Sequence, residues 1–187
     1  MNSDTHTGVA VDERSLKSLR ENDFLPFLYP NQYVNFTPDS KASQLALSLI
    51  DEDTVDVDAL QQIYDYVVSN LTYDYEKADT VTTGYLPDVD ETLKTGTGIC
   101  FDYAALTTAM LRSCDIPCKL QIGYAGDIKH AWIDVYIRSK GWVNQAVSFK
   151  GDTWTLMDPT FDSNSDDKEA IQDYIGDESN YTVQFTR

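Results

Sequence analysis

Histidine is scarce in this chain, since only His6 and His130 occur among 187 residues. His6 lies in the polar segment 1–23, which has no hydrophobic periodicity and which we expect to be a flexible N-terminal tail. Residues 24–187 are long enough to form a single domain with its own core. Any chemistry of that domain that needs an imidazole therefore depends on His130.

Basic residues are also few, because 14 Lys and Arg stand against 31 Asp and Glu and leave a net charge of −17. Such a surface repels phosphate backbones, so we expect no nucleic-acid partner. The sequence has no secretory hydrophobic region and no apolar run near the roughly 18 residues of a membrane span, which predicts no membrane insertion. We expect an extracellular or cell-surface protein whose export signal is absent from this sequence, with a cytoplasmic location as the alternative.

Cysteine occurs three times, at positions 100, 114 and 118. Cys114 and Cys118 flank Asp115-Ile116-Pro117, where a helix must end, and Cys118 begins an apolar stretch. We interpret both as small core residues rather than as a disulfide. That interpretation leaves Cys100 as the thiol available for chemistry.

Cys100 follows a turn punctuated by Gly96 and Gly98 and opens a helix-compatible run that we expect to end near Ser113. A thiol in the first turn of a helix lies near the positive end of the helix dipole, which favours the nucleophilic thiolate. Cysteine acyl chemistry also needs an imidazole base. The sequence therefore predicts Cys100 as the nucleophile and His130 as the base.

The hydrophobic pattern predicts helices in the first part of the chain and antiparallel strands in the later part, which indicates an α+β fold. Residues 74–94 contain Gly84, Pro87 and many Asp and Thr, and we interpret them as a loop. The other predicted helices cover Ala42–Ile50, a stretch that starts with Asp56 as N-cap, and a stretch from Asp166 or Asp167 to Gly176. The predicted strands cover Asn31–Phe36, Lys119–Tyr124, His130–Ile137, Trp142–Phe149, Thr153–Met157 and Tyr181–Thr186.

A third group should fix the tautomer of the imidazole. Asp134 lies four residues beyond His130 on the same strand, about 13 Å away, which is too far to hold the ring. Asp127 lies in the loop before His130, whereas Asp158 ends a strand and precedes Pro159. We favour Asp158 over Asp127 as the orienting carboxylate.

Five short motifs follow one another along the chain, namely Gly98-Ile99-Cys100-Phe101-Asp102-Tyr103-Ala104, Ile116-Pro117-Cys118, Gly123-Tyr124, His130-Ala131-Trp132, and Trp154 with Asp158-Pro159-Thr160. In this order they resemble the transglutaminase-like superfamily, a branch of the papain-like fold, over residues 56–165. The resemblance implies a Cys100–His130–Asp158 triad, with the helix that bears the cysteine packed on an antiparallel sheet that bears His130 and Asp158. It also implies acyl transfer on a carboxamide or amide, to an amine or water, without metal or organic cofactor. We expect the substrate to be a protein, peptide or cell-wall peptide.

The residues beside the thiol depart from the family pattern. Protein-crosslinking transglutaminases have Gln before and Trp after the cysteine, where this chain has Ile99 and Phe101. The backbone N–H of Cys100 remains an expected oxyanion donor, and the candidates for a second donor are Tyr73, Tyr75 and Tyr85. We therefore expect hydrolysis, or transfer to a specific small amine, rather than general crosslinking. The alternative is a binding or structural module that keeps the fold without turnover.

Residues Asp162–Asp166 space oxygen atoms like the start of a calcium loop. Asp167 stands where such a loop needs Gly for its sharp turn, and the last ligand would be Asp173 instead of Glu. We therefore expect no metal site and interpret these residues as caps of the last helix.

Overall fold

The computed structural model describes residues 24–51, 53–125, 127–144, 147–150, 153–156 and 181–187. The expected tail 1–23, Asp158, the calcium-like segment and the helix predicted to end at Gly176 lie outside these residues. The helices are α1 (Lys41–Leu49), α2 (Asp56–Asn70), α3 (Tyr75–Thr80), α4 (Val89–Thr95) and α5 (Cys100–Ser113). The strands are β1 (Thr72–Tyr73), β2 (Thr97–Gly98), β3 (Cys118–Ala125), β4 (Ile128–Ile137), β5 (Gly141–Val143), β6 (Val147–Lys150), β7 (Thr153–Leu156) and β8 (Tyr181–Thr186).

Helix α5 forms the centre of the core. Its residues 102–112 are all buried, as expected for a helix that is apolar on most sides. It packs against α1, α2 and α4 on one side and against β3 and β4 on the other. The prediction of a helix from Cys100 to Ser113 is confirmed, so the expected nucleophile stands at the start of the most buried element described.

The sheet that covers α5 is antiparallel, with strand order β5-β4-β3-β8. The alternation predicted for β4 is confirmed, because Ile133, Val135 and Ile137 are buried towards the core. On the other face of the same strand, His130 lies parallel to Trp132, with ring centroids 6.3 Å apart. The predicted α+β fold, with the cysteine helix packed on an antiparallel sheet that carries His130, is thus present.

The buried guanidinium of Arg112 joins three distant parts of the described chain. It donates hydrogen bonds to the backbone carbonyl of Cys118 at 2.8 Å, of Tyr29 at 2.7 Å and of Arg187 at 3.0 Å. A buried cation needs such partners, since an unpaired charge in the core is costly. These bonds hold the two ends of the described chain against the far end of α5 and so support the element that carries the cysteine.

The strand predicted at Asn31–Phe36 is wrong. The side-chain oxygen of Asn31 accepts the backbone N–H groups of Tyr33 and Val34, at 2.9 and 3.1 Å, and the segment forms a turn. Asn competes for backbone hydrogen bonds in this way at turns. Val34 and Phe36 are nevertheless buried, so the apolar alternation reflected packing and not strand pairing.

The loop predicted over residues 74–94 is wrong at both ends, because α3 covers Tyr75–Thr80 and α4 covers Val89–Thr95, with a loop only at 81–88. Asp74 caps α3 by accepting the N–H of Lys77, and Asp88 caps α4 by accepting the N–H groups of Asp90 and Glu91. Two of the aspartates that suggested a loop, Asp74 and Asp88, are thus helix N-caps.

Two smaller expectations also need correction. Asp56 is the first residue of α2 rather than its N-cap, and its carboxylate instead pairs with Arg138 at 2.6 Å. The strand predicted over Trp142–Phe149 is two strands, since β5 pairs with β4 while β6 pairs with β7.

Within the described residues, no helix is both long and apolar enough to cross a membrane.

Candidate active site

Cys100 is the first residue of α5, and the backbone before it is shaped to start the helix there. Gly96 ends α4 in the left-handed region, with φ of 65°, which favours glycine. Strand β2 then pairs in parallel with β1, and Ile99 is extended before the helix begins. The N–H of Cys100 belongs to the first turn, where the helix itself supplies no acceptor. A thiol and a backbone donor therefore lie together at this end of α5.

Gly98 and Asp102 fit against each other beside the cysteine. A Cβ atom at Gly98 would lie 2.6 Å from the Cβ of Asp102, closer than real contacts allow. The carboxylate of Asp102 accepts the N–H of Ile99 at 2.8 Å, which closes the first turn of the helix. In the Gly-Ile-Cys-Phe-Asp motif, steric fit therefore explains the glycine and hydrogen bonding explains the aspartate.

His130 lies near the start of β4, opposite Gly123 of β3. The side chain is 6% exposed, so it is largely withdrawn from solvent. Its ring lies nearly parallel to that of Trp132, with an interplanar angle of 18°. Trp132 is buried and lies beside the histidine on the same strand face.

One cavity of about 270 Å³ is lined by both Cys100 and His130. Among the described lining residues none is acidic, and Lys129 and His130 are the only ones that can carry a positive charge. The wall is mostly apolar, so it suits an uncharged acyl group better than a charged one. Its apolar members include Ala78, Val81, Ile99, Phe101, Ile122 and Ala131.

A buried polar cluster stands behind this cavity, and sequence reasoning missed it. Asp102 is fully buried and is paired with Lys77 Nζ at 2.7 Å. It also accepts the hydroxyl hydrogen of Tyr85 at 2.5 Å. Asp102 belongs to the quoted cysteine motif, but nothing in the sequence pattern indicates that Lys77 and Tyr85 would reach it.

The ionisation of this cluster follows from burial and pairing. Burial pulls the pKa of Lys77 down, but its hydrogen bonds to Asp102 and Tyr85 outweigh that effect and leave the pKa above its ordinary value. Burial, and then the hydrogen bond to Asp102, raise the pKa of Tyr85. Lys77 is therefore charged and Tyr85 is neutral at neutral pH.

The three tyrosines considered as second oxyanion donors differ in position. Tyr73 and Tyr85 line the cavity, whereas Tyr75 is 66% exposed and is not among the lining residues. The one hydroxyl hydrogen of Tyr85 is donated to Asp102, so it is not available to an oxyanion in this arrangement. Tyr73, whose ring lies 5.0 Å from that of Tyr75, keeps its place as a candidate.

The aspartates considered as orienting groups are placed differently. Asp134 is buried and accepts a hydrogen bond from the side-chain amide of Gln121. Gln121 in turn accepts the hydroxyl of Thr186 at 2.7 Å, so this carboxylate belongs to a network that joins β3, β4 and β8. Asp127 is exposed in the turn between β3 and β4. Asp158, the expected third member, lies outside the described residues.

The other two cysteines differ from Cys100 in environment, and all three are free thiols. Burial, and to a lesser degree Asp115, raise the pKa of Cys114 to about 11. Burial raises the pKa of Cys118 to about 12, although its hydrogen bond to Thr108 acts in the opposite direction. Both therefore stay protonated at neutral pH, in line with their interpretation as core residues.

No cluster of three or more His, Cys, Asp or Glu side chains suited to a metal ion occurs within the part of the chain that the structure describes. The calcium-like segment that starts at Asp162 lies outside that part, so the expectation for it stays a prediction.

Solved structures show the same fold. A candidate cysteine protease from Cytophaga hutchinsonii matches 88% of this chain and 47% of its own, with a TM-score of 0.58 and 22% identity. The periplasmic domain of TgpA from Pseudomonas aeruginosa matches 70% of this chain and 46% of its own, with a TM-score of 0.50 and 19% identity. The chain thus spans about half the length of these relatives.

Sequence comparison points in the same direction. A UPF0252 protein of Methanocaldococcus jannaschii is 36% identical over 62 residues, which cover 30% of this chain and 18% of that protein. The family model of the transglutaminase-like superfamily matches residues 43–159, which is more than half of the chain and includes both Cys100 and His130. The protein belongs to the transglutaminase-like superfamily.

Proposed function

We propose that this protein is a thiol-dependent acyl-transfer enzyme that cleaves or transfers amide bonds through Cys100, His130 and Asp158. The observation that carries the proposal is the shared cavity, which is lined by both a cysteine at a helix start and a largely buried histidine. The pairing of a thiol with an imidazole is what nucleophilic cysteine catalysis requires. Asp158 is proposed as the group that orients the imidazole.

The reaction begins when the Sγ of Cys100, as thiolate, attacks the carbonyl carbon of the amide. The developing oxyanion accepts the backbone N–H of Cys100 at the start of α5. The C–N bond then breaks, His130 gives its proton to the leaving nitrogen, and a thioester on Cys100 remains. Water or an amine attacks the thioester, His130 takes the proton of that nucleophile, and the thiolate leaves.

The cavity also indicates which acyl groups fit. Its described walls are mostly apolar and carry no carboxylate, so uncharged side chains lose the least hydration on entering. A protein, peptide or cell-wall peptide with such a group beside the amide is the proposed substrate. Because Ile99 and Phe101 replace the family's Gln and Trp, we propose water or a specific small amine as the acceptor.

The test is a screen of peptide amides and glutamine-bearing proteins, with and without a labelled primary amine, which follows ammonia release, peptide cleavage and amine incorporation. Native protein should release ammonia or cleaved peptide, and Cys100→Ala should abolish that release. Cys114→Ser should retain it, because Cys114 is remote from the cavity. Robust incorporation into many unrelated proteins would instead show a general transglutaminase. Silence in every assay would favour the binding-module alternative.

A further inference from the structure

Residues 78–85, which comprise the end of α3 and the loop after it, form part of the cavity wall through Ala78 and residues 81–85. Helix α3 has no buried residue, so apolar packing does little to hold it. Its described polar bonds to the rest of the fold are that from the Asp74 N–H to the carbonyl of Gly98, at 2.9 Å, and that from Lys77 to Asp102, while Tyr85 ties the loop after α3 to the same carboxylate. The position of the wall therefore depends on a few polar contacts.

Asp102 is suited to act as that anchor because it is fixed on the most buried element. Its side chain is fully buried, and its carboxylate receives donors from Lys77, Tyr85 and the backbone of Ile99. Buried carboxylates with several charge-assisted hydrogen bonds hold their partners firmly. The same carboxylate thus binds the start of the nucleophile helix and the wall that faces it.

Tyr85 supports the wall through its ring as well as through its hydroxyl group. The aromatic ring of Tyr85 completes the wall by standing edge-on to Phe101, with ring centroids 6.3 Å apart.

We propose that Asp102, Lys77 and Tyr85 are positioning residues that hold the wall 78–85 over Cys100 and thereby set the size of the acyl group that reaches the thiol. The consequence for turnover rests on the proposed function. The position of the wall can be tested independently of the proposed function, because access to the thiol is measured without catalysis.

The experiment compares two uncharged maleimides, N-ethylmaleimide and N-(1-pyrenyl)maleimide, and measures the rate at which each labels Cys100 in the full chain. Peptide mapping by mass spectrometry assigns the label to Cys100. The quantity of interest is the ratio of the pyrenyl rate constant to the ethyl rate constant. If the wall is held in place, it hinders the large pyrenyl group more than the ethyl group and keeps this ratio low.

Tyr85→Phe removes one hydroxyl and Lys77→Met removes the charge. Each should raise the ratio by about tenfold, because the loss of a charge-assisted hydrogen bond shifts the closed state towards open ones. Lys77→Arg should return the ratio to the wild-type value. The matched controls are Tyr29→Phe and Lys94→Met, whose side chains are exposed and remote from the cavity, and they should leave the ratio unchanged.

Circular dichroism establishes which variants are folded. An unchanged ratio in folded Tyr85→Phe overturns the proposal, even if Lys77→Met does not fold. If the native protein is active, the preference for small over bulky acyl groups, taken as kcat/KM, should weaken in the same variants. If the native protein is inactive while the ratio still rises, the proposed function fails and the positioning role stands.

Discussion

At the scale of single residues, the sequence motif around Cys100 has a physical explanation that pattern alone does not contain. Gly98 leaves space for the side chain of Asp102, and Asp102 closes the helix start and anchors Lys77 and Tyr85. An Asp in the first helical turn is recognisable from sequence as an N-terminal signal. Its partners could not be foreseen, because their approach depends on how residues 74–88 fold.

The orienting carboxylate gives a prediction at the same scale. If Asp158 holds the tautomer of His130, Asp158→Asn should lower turnover by about 10³-fold or more, because an amide can favour the wrong tautomer. Asp134→Asn should change turnover by less than about threefold, because Asn can still accept the hydrogen bond from Gln121. Steady-state kinetics of both variants, alongside their thermal unfolding, check this expectation.

A larger loss in Asp134→Asn, with the fold intact, would contradict the choice of Asp158. The strand-distance argument that set Asp134 aside would then be wrong. The pair formed by Gln121 and Asp134 would then have to influence His130 through Trp132. Trp132 lies between His130 and Asp134 on the same face of β4.

At the scale of elements, the sequence predicts helices and strands correctly where burial of one face requires apolar residues at regular spacing. Helix α5 and strands β3 and β4 carry long apolar patterns and were predicted with nearly the observed bounds. Helices α3 and α4 were missed because each is short, has few buried residues and depends on its Asp cap. Their stability comes from tertiary contacts, which no local pattern reports.

Strand β8 offers a test of how the sheet supports His130. Gly123 lies opposite His130 on one side and pairs with Val183 of β8 on the other, next to a shift in register. A Cβ at Gly123 would lie 1.9 Å from the carbonyl oxygen of Thr182. Gly123→Ala should therefore displace β8 and lower the melting temperature by about 4 °C or more.

Hydrogen exchange distinguishes this local effect from general unfolding. Amides of residues 182–186 should lose protection in Gly123→Ala, while those of α5 keep theirs. Unchanged protection in β8, with an unchanged melting temperature, would contradict the close approach of the two strands. A Gly123→Ser variant should behave like Gly123→Ala, because both introduce the same Cβ.

At the scale of the whole molecule, the acidic composition of the chain contrasts with the mostly apolar lining of the cavity. The chain carries a net charge of −17, yet the described lining of the cavity contains no carboxylate. The total charge follows directly from the sequence. The absence of carboxylates from the described lining of the cavity could not be predicted, because it depends on which residues the fold brings together. The site is consequently expected to select substrates by fit to an apolar wall, with the acidic surface acting only at longer range.

The central claim is that Cys100, at the start of α5 and in one cavity with His130, is the nucleophilic thiol. The direct measurement is the rate of iodoacetamide alkylation of each cysteine at pH 7, resolved by peptide mass spectrometry. Cys100 should react far faster than Cys114 and Cys118, whose pKa values burial raises to about 11 and about 12. His130→Ala should slow the alkylation of Cys100 and leave the other two unchanged. Equal labelling of all three thiols in the folded protein would contradict the account.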